Sequence, residues 1–182
     1  MEPATSSIGE KLGFVVLVAL LALVAWKLLI PHSPTGPPVA VGTPLPALNV
    51  AGWLNLPAGE SFDPTGKIVV VDCWATWCGP CRKEMPRLAA IAEQYRPLGV
   101  EFIGLTDEIE KDLPRIRSFI ESVPGFTWPV GYGAFKFIAA LDIRQIPTVI
   151  VFGPDGRAIW SNVGSYGLEP ILDAALAKQQ SK

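Results

Sequence analysis

Cys78 and Cys81 are separated by Gly79 and Pro80 and follow an apolar run, Lys67–Cys73 (KIVVVDC). Two cysteines at that spacing in the first turn of a helix can close a small disulfide without unfolding anything around them. At the helix N-terminus, unpaired amides and the macrodipole stabilise a thiolate at Cys78. One turn further in, Cys81 is expected to be the more buried and suited to resolve a mixed disulfide. Pro80 suits the first turn, where its missing N–H costs nothing. The pair also reads as half of a zinc site, whose other ligands would have to come from Cys73 and His32. Cys73-x4-Cys78-x2-Cys81 further has the spacing of a plant-type iron–sulfur loop, but a cluster needs a fourth cysteine and the chain has three.

Asp72 lies inside the apolar run. An unpaired carboxylate there is costly and its pKa should rise; the alternative is an acid that reaches a lysine or a backbone donor. Successive strand residues face opposite sides, so Cys73 and Asp72 cannot share an environment. Cys73 reads as a buried thiol acting as a small hydrophobe, with a third redox thiol as the sharper alternative. Glu84 and the acidic group Asp107, Glu108, Glu110 and Asp112 read as solvated faces or helix-start charges.

The composition narrows the chemistry further. His32 is the single histidine of the 182 residues, which removes His-based triads, Cys–His pairs and most zinc enzymes. Fifteen basic against 17 acidic residues give a net charge of −2 without a basic stripe, so no nucleic-acid partner is expected. Three cysteines are too few for a disulfide scaffold, and any cysteine function must be local.

The cysteines are positioned by alternating strands and helices, the pattern of an α/β sheet covered by helices. Lys67–Cys73, rich in valine, is expected to be a central strand buried on both faces. A helix follows over about Pro80–Tyr95, with Met85, Leu88, Ala92 and Tyr95 on one face and a kink required at Pro86. Gly99–Leu105 is a second strand. Asp112–Ser122 is a helix with Asp112 as N-cap and Leu113, Ile116, Phe119 and Ile120 at helical spacing. Ala134–Leu141 is a shorter helix. Thr148–Phe152 and Arg157–Asn162 are strands joined by Gly-Pro-Asp-Gly, a hairpin signal. Leu168–Lys178 closes the chain as a helix.

Ahead of this domain stand three other pieces. Residues 1–11 form a tail. Leu12–Trp26 carries no charge; with Lys27 snorkelling to the interface, residues 12–30 come close to the ~20 needed to span a bilayer as a helix. A cleaved signal peptide and a buried core helix are the competing readings of that stretch. Lys11, beside Glu2 and Glu10, flanks the span on one side and Lys27 on the other, so the positive-inside count is a tie and does not orient it. Residues 31–44 are a proline-rich linker, within a stretch reaching ~50 Å if it is polyproline-like. The folded domain is expected over residues 45–182.

The string Val71-Asp72-Cys73-Trp74-Ala75-Thr76-Trp77-Cys78-Gly79-Pro80-Cys81-Arg82-Lys83-Glu84-Met85-Pro86 resembles the active-site segment of the thioredoxin superfamily. Its ATWCGPCRKEMP portion is similar in particular to the membrane-anchored TlpA/ResA-type thiol–disulfide oxidoreductases. Gln145-Ile146-Pro147-Thr148, just before a strand, resembles the family's cis-proline loop, and a strand–helix insertion around Asp112–Tyr132 is typical of that branch. The resemblance implies a thioredoxin-like fold, a central mixed β-sheet flanked by helices, behind an N-terminal transmembrane helix.

The resemblance also implies roles. Cys78 would be the attacking thiolate and Cys81 the resolving thiol, with Asp72 helping to deprotonate Cys81. Pro147 would be cis and face the disulfide, leaving the backbone of Ile146 free to pair with an extended substrate. Trp77 would shield one side of Cys78 and offer a flat docking surface, and Gly79-Pro80 would complete the substrate-facing loop and favour a reductant. No lysine stands on Gly99–Leu105 where thioredoxin has a partner for Asp72, and Cys73 replaces the usual aromatic. The implied activity is disulfide exchange with client proteins, such as apocytochromes c, without metal or organic cofactor. A membrane electron donor and a periplasmic or other extracytoplasmic domain are implied as well. An oxidase or isomerase of the same fold, a redox-inactive peptide-binding module and a metal-assembly factor are the alternatives.

Overall fold

The computed structural model describes residues 13–22 and 37–181. Residues 13–22 are helical. Among the described residues no helix is long and apolar enough to cross a membrane, and residues 12 and 23–30 of the expected span lie outside them. So do residues 31–36 of the expected linker.

Six strands build one sheet: β1 (Gly52–Leu54), β2 (Ile68–Cys73), β3 (Val100–Leu105), β4 (Val130–Tyr132), β5 (Thr148–Phe152) and β6 (Ala158–Val163). Their spatial order is β1-β4-β3-β2-β5-β6. β2, β3 and β4 run parallel, whereas β1, β5 and β6 each pair antiparallel with a neighbour, so the sheet is mixed as expected. Four helices complete the domain: α1 (Gly79–Tyr95), α2 (Leu113–Glu121), α3 (Phe135–Ala140) and α4 (Leu168–Gln180). Pro86 sits inside α1 without ending it.

β2 is central and fully buried, and its side chains alternate between two cores. Ile68 and Val70 join the larger core with Leu88 of α1, Phe119 of α2 and Leu172 of α4. Val69, Val71 and Cys73 face the smaller one, closed by Phe137 of α3. This alternation puts Asp72 on the α1 side and Cys73 on the other, as the strand period requires.

Two details depart from the sequence reading. β1 and β4, three residues each, are paired with one another and extend the sheet beyond β3. Residues 37–44, expected as linker, are packed on the domain instead. Val39 is buried, with its N–H donating to Ser161 Oγ at 2.9 Å and its carbonyl accepting from that hydroxyl at 2.7 Å. Gly42 N–H donates to the Ala158 carbonyl, Ala158 N–H to the Thr43 carbonyl, and Pro44 bridges Arg157. The prolines suggested a tether, but this segment follows the free edge of β6, where an extended chain with few N–H groups fits.

Candidate active site

Cys78 is the N-cap of α1, in an extended backbone conformation, with Gly79 and Pro80 opening the helix. Cys78 and Cys81 are joined as a disulfide, their Cα atoms 5.3 Å apart. The Cys81 N–H donates to Cys78 Sγ at 3.1 Å, so one of the unpaired amides of the helix start is aimed at the outer sulfur. A thiolate at Cys78 in the reduced protein would meet the same amide and the positive end of the α1 dipole. Both cysteines are nearly buried, Cys78 at 4% exposure and Cys81 at 1%, in the order expected.

Trp77 stands beside them at 67% exposure. It lines two grooves, one toward Ile143, Arg144, Gln145 and Ile146 and one toward α2. The Ile146–Pro147 bond is cis, and the Ile146 carbonyl oxygen lies 3.7 Å from Cys78 Sγ. Neither the N–H nor the carbonyl of Ile146 is paired with another backbone group. The Pro147 carbonyl accepts from Gly164 N–H at 3.0 Å, which fixes the loop against the end of β6.

Asp72, Cys81, Glu84, Met85, Leu88 and Pro147 surround one small cavity. Asp72 is 3% exposed and its Oδ2 has no hydrogen-bond partner. Burial, and then the charge of Glu84, push its pKa from 3.8 up to about 8. The carboxyl is therefore mostly neutral at pH 7 and becomes a base just above it, beside the inner cysteine. The β3 residue in register with Asp72 is Gly104. A Cβ there would lie 2.8 Å from the indole nitrogen of Trp74 and 3.4 Å from that of Trp128. Both indole nitrogens are buried without an acceptor.

Of the acids expected as solvated faces or helix-start charges, Glu110 and Asp112 stand in the first turn of the short helix before α2, whereas Glu84 and Glu108 are engaged by other parts of the fold. Glu108, 6% exposed, accepts from Thr76 N–H at 2.7 Å, from Thr76 Oγ1, and from Thr106 Oγ1 at 3.2 Å, with Arg115 at 3.9 Å. It thus ties the loop after β3 to the residue two before Cys78. Glu84 accepts from the N–H of Ser165 at 2.7 Å and from its hydroxyl, bracing α1 against the loop after β6. Asp112 does not cap α2 with its side chain. It instead accepts from Ile109 N–H at 3.1 Å and pairs with Arg115 at 2.5 Å, which holds its carboxyl below the usual range. Thr76 and Ser165 lie 32 and 81 residues from Glu108 and Glu84, beyond any local pattern, whereas the partners of Asp112 are three residues away. Thr76, Glu84 and Glu108 are the site residues that sequence reasoning passed over, and no local signal marks them.

Cys73 is fully buried on the opposite face of β2 from Asp72, and burial, then the Asp72 charge, raise its thiol pKa. It cannot join Cys78 and Cys81 in a ligand set. Among the described residues no group of three or more His, Cys, Asp or Glu side chains is placed to hold a metal ion; His32 lies outside them.

The family described as thioredoxin-like matches residues 66–158, just over half of the chain. The thiol-disulfide oxidoreductase ResA of Bacillus thuringiensis is 32% identical over 113 residues, which cover 62% of this chain and 64% of that protein. The thioredoxin-like protein YneN of Bacillus subtilis is 27% identical over 149 residues, covering 80% of this chain and 84% of its own. Among solved structures, the thioredoxin domain of a thiol-disulfide oxidoreductase from Bacteroides vulgatus superposes with a TM-score of 0.64. It shares 22% identity over 75% of this chain and 97% of that domain, a likeness of fold.

Proposed function

Because the chain belongs to the thioredoxin-like family, we propose that it is a thiol–disulfide oxidoreductase that exchanges the Cys78–Cys81 pair with client proteins. The observation that carries this reading is the joined pair at the start of α1, with Asp72 beside its inner sulfur and the free backbone of Ile146 beside its outer one. In the reducing direction the Cys78 thiolate attacks one sulfur of a client disulfide. A mixed disulfide forms and the first client thiolate leaves to pick up a proton from water. Cys81 then gives its proton to Asp72 in its ionised form, the minor one at pH 7 and the major one above about 8, and attacks Cys78 Sγ, releasing the second client thiolate. Two electrons have moved to the client, and the enzyme is left with the disulfide seen in the structure. Trp77, Gly79, Pro80, Ile146 and Pro147 form the surface against which the client lies.

Gly79-Pro80 between the cysteines, as in reducing thioredoxins, supports a reductant. The uncharged run Leu12–Trp26 supports retention of the chain in a bacterial cytoplasmic membrane as a single-pass protein. The resemblance of the ATWCGPCRKEMP segment to the membrane-anchored TlpA/ResA type supports an extracytoplasmic domain, electrons from a membrane donor and clients such as apocytochromes c with haem-binding cysteines.

The reduction potential of the full chain in detergent, read as alkylation mass shifts across graded dithiol buffers, tests this. A two-electron couple at or below about −250 mV is expected. A couple near about −150 mV reverses the direction and makes the protein an oxidase or isomerase. Absence of any mass shift refutes oxidoreductase function and leaves a peptide-binding module.

A further inference from the structure

Trp77 separates the groove that passes Ile146 from a second one, about 480 Å3, between the active-site loop and α2. The second groove exists because α2 packs beside α1, with Phe119 in the larger core. Its walls are Trp77, Arg82, Pro114, Arg115, Ser118 and Phe119. The floor is aromatic, and every charge on the walls is positive. Arg82 lies over the Phe119 ring, 4.8 Å from its centroid, and donates to the Thr76 carbonyl at 3.2 Å. Its guanidinium is therefore held in place, and among the described residues no carboxylate pairs with it. Arg115 does have acidic partners, Asp112 and Glu108, but its side chain is 64% exposed at the mouth.

From this groove we infer that the protein selects client segments carrying an Asp or Glu about two or three residues from the reacting cysteine. The inference rests on the oxidoreductase reading and deepens it by naming the substrate class. A client chain paired with the Ile146 backbone and crossing Trp77 enters this groove after a few residues, at about 3.3 Å per residue. There its carboxylate meets a guanidinium oriented by Thr76 and unspent on any other acid, in a site half-lined by rings. Glu108 preforms the groove, since its bonds to Thr76 fix one wall and its contact with Arg115 holds the other. A lysine at the same client position faces the uncompensated guanidinium of Arg82, while Arg115 is already engaged by Asp112 and Glu108.

The experiment uses the reduced full chain in detergent and two peptide disulfides identical except for Glu or Lys two residues from the cysteine. Rates are divided by the same sample's rate with hydroxyethyl disulfide, which is neutral and too small to reach the groove. An exposed ion pair is worth up to about fivefold, and reversing the charge doubles the effect in logarithm, so a Glu-over-Lys preference of about tenfold is expected at low salt. It should fall toward unity in 0.5 M salt, where the screening length is only a few ångströms. Arg82→Gln and, independently, Ser118→Glu should each cut the preference to about twofold or less. Equal rates for the two peptides, with hydroxyethyl disulfide reduced normally, would overturn the inference and leave oxidoreductase function standing. A preference that survives both substitutions would place selection outside the groove and equally overturn it. Failure to reduce hydroxyethyl disulfide would remove the underlying activity and the inference with it.

Discussion

Replacing Asp72 with Asn should stabilise the folded domain at neutral pH and leave it little changed near pH 4. Asp72 is buried with Oδ2 unpartnered, and its pKa rises from 3.8 to about 8, chiefly through burial and then through Glu84. Between those values the folded chain keeps a proton that the unfolded chain has lost, so rising pH drains stability. The contribution is complete below about 4 and gone above about 8. Each pH unit in that interval costs about 1.4 kcal/mol, so roughly 4 kcal/mol disappears between pH 4 and pH 7. Asn carries no such proton, and the loss vanishes with it. The assay is urea denaturation of the oxidised chain in detergent, wild type against Asp72→Asn, at half-unit steps from pH 4 to 9. The two curves should diverge steadily up to about pH 8 and then run parallel. A difference independent of pH would refute the reasoning, because the carboxyl would then be hydrated or partnered in the folded state.

Three further outcomes follow from contacts described above. Glu108→Ala leaves the Thr76 N–H and two hydroxyls without their acceptor, which should cost about 2–3 kcal/mol and raise amide exchange at Thr76; unchanged exchange there would sink the loop-clamp reading. Gly104→Ala places a Cβ 2.8 Å from the Trp74 indole nitrogen, so a loss of about 1–3 kcal/mol with altered tryptophan fluorescence is expected. Cys73→Ala should leave the two-electron couple of Cys78 and Cys81 in place, since Cys73 is buried on the other face of β2; a shifted or one-electron couple in redox-buffer alkylation would make it a third redox thiol.

What the sequence disclosed and what it concealed divide along the range of the interactions. β2, α1 and the disulfide at its start are written in consecutive residues: a valine run, then two cysteines around Gly-Pro. Asp72 stands out for the same reason, as an acid where only apolar side chains belong. Glu108 and Glu84 look like any surface acid until the fold brings Thr76 to one and Ser165 to the other, 32 and 81 residues away. β1 and β4 are too short to show a period of two; β1 is held by β4 alone and β4 by β1 and β3. Residues 37–44 were masked by their prolines, which signal an extended chain but not what the chain lies against.

That proline-bearing segment also closes a border of the sheet. An open sheet margin risks having extended polypeptides add to it as extra strands. Here the β6 margin is occupied by residues 39–45, with Pro44 at the bridge to Arg157, and the opposite margin ends in the three-residue β1. Neither border offers a long ladder of vacant N–H and C=O groups. Under the proposed function, extended clients pair at Ile146, beside the sulfurs, and not along a sheet border.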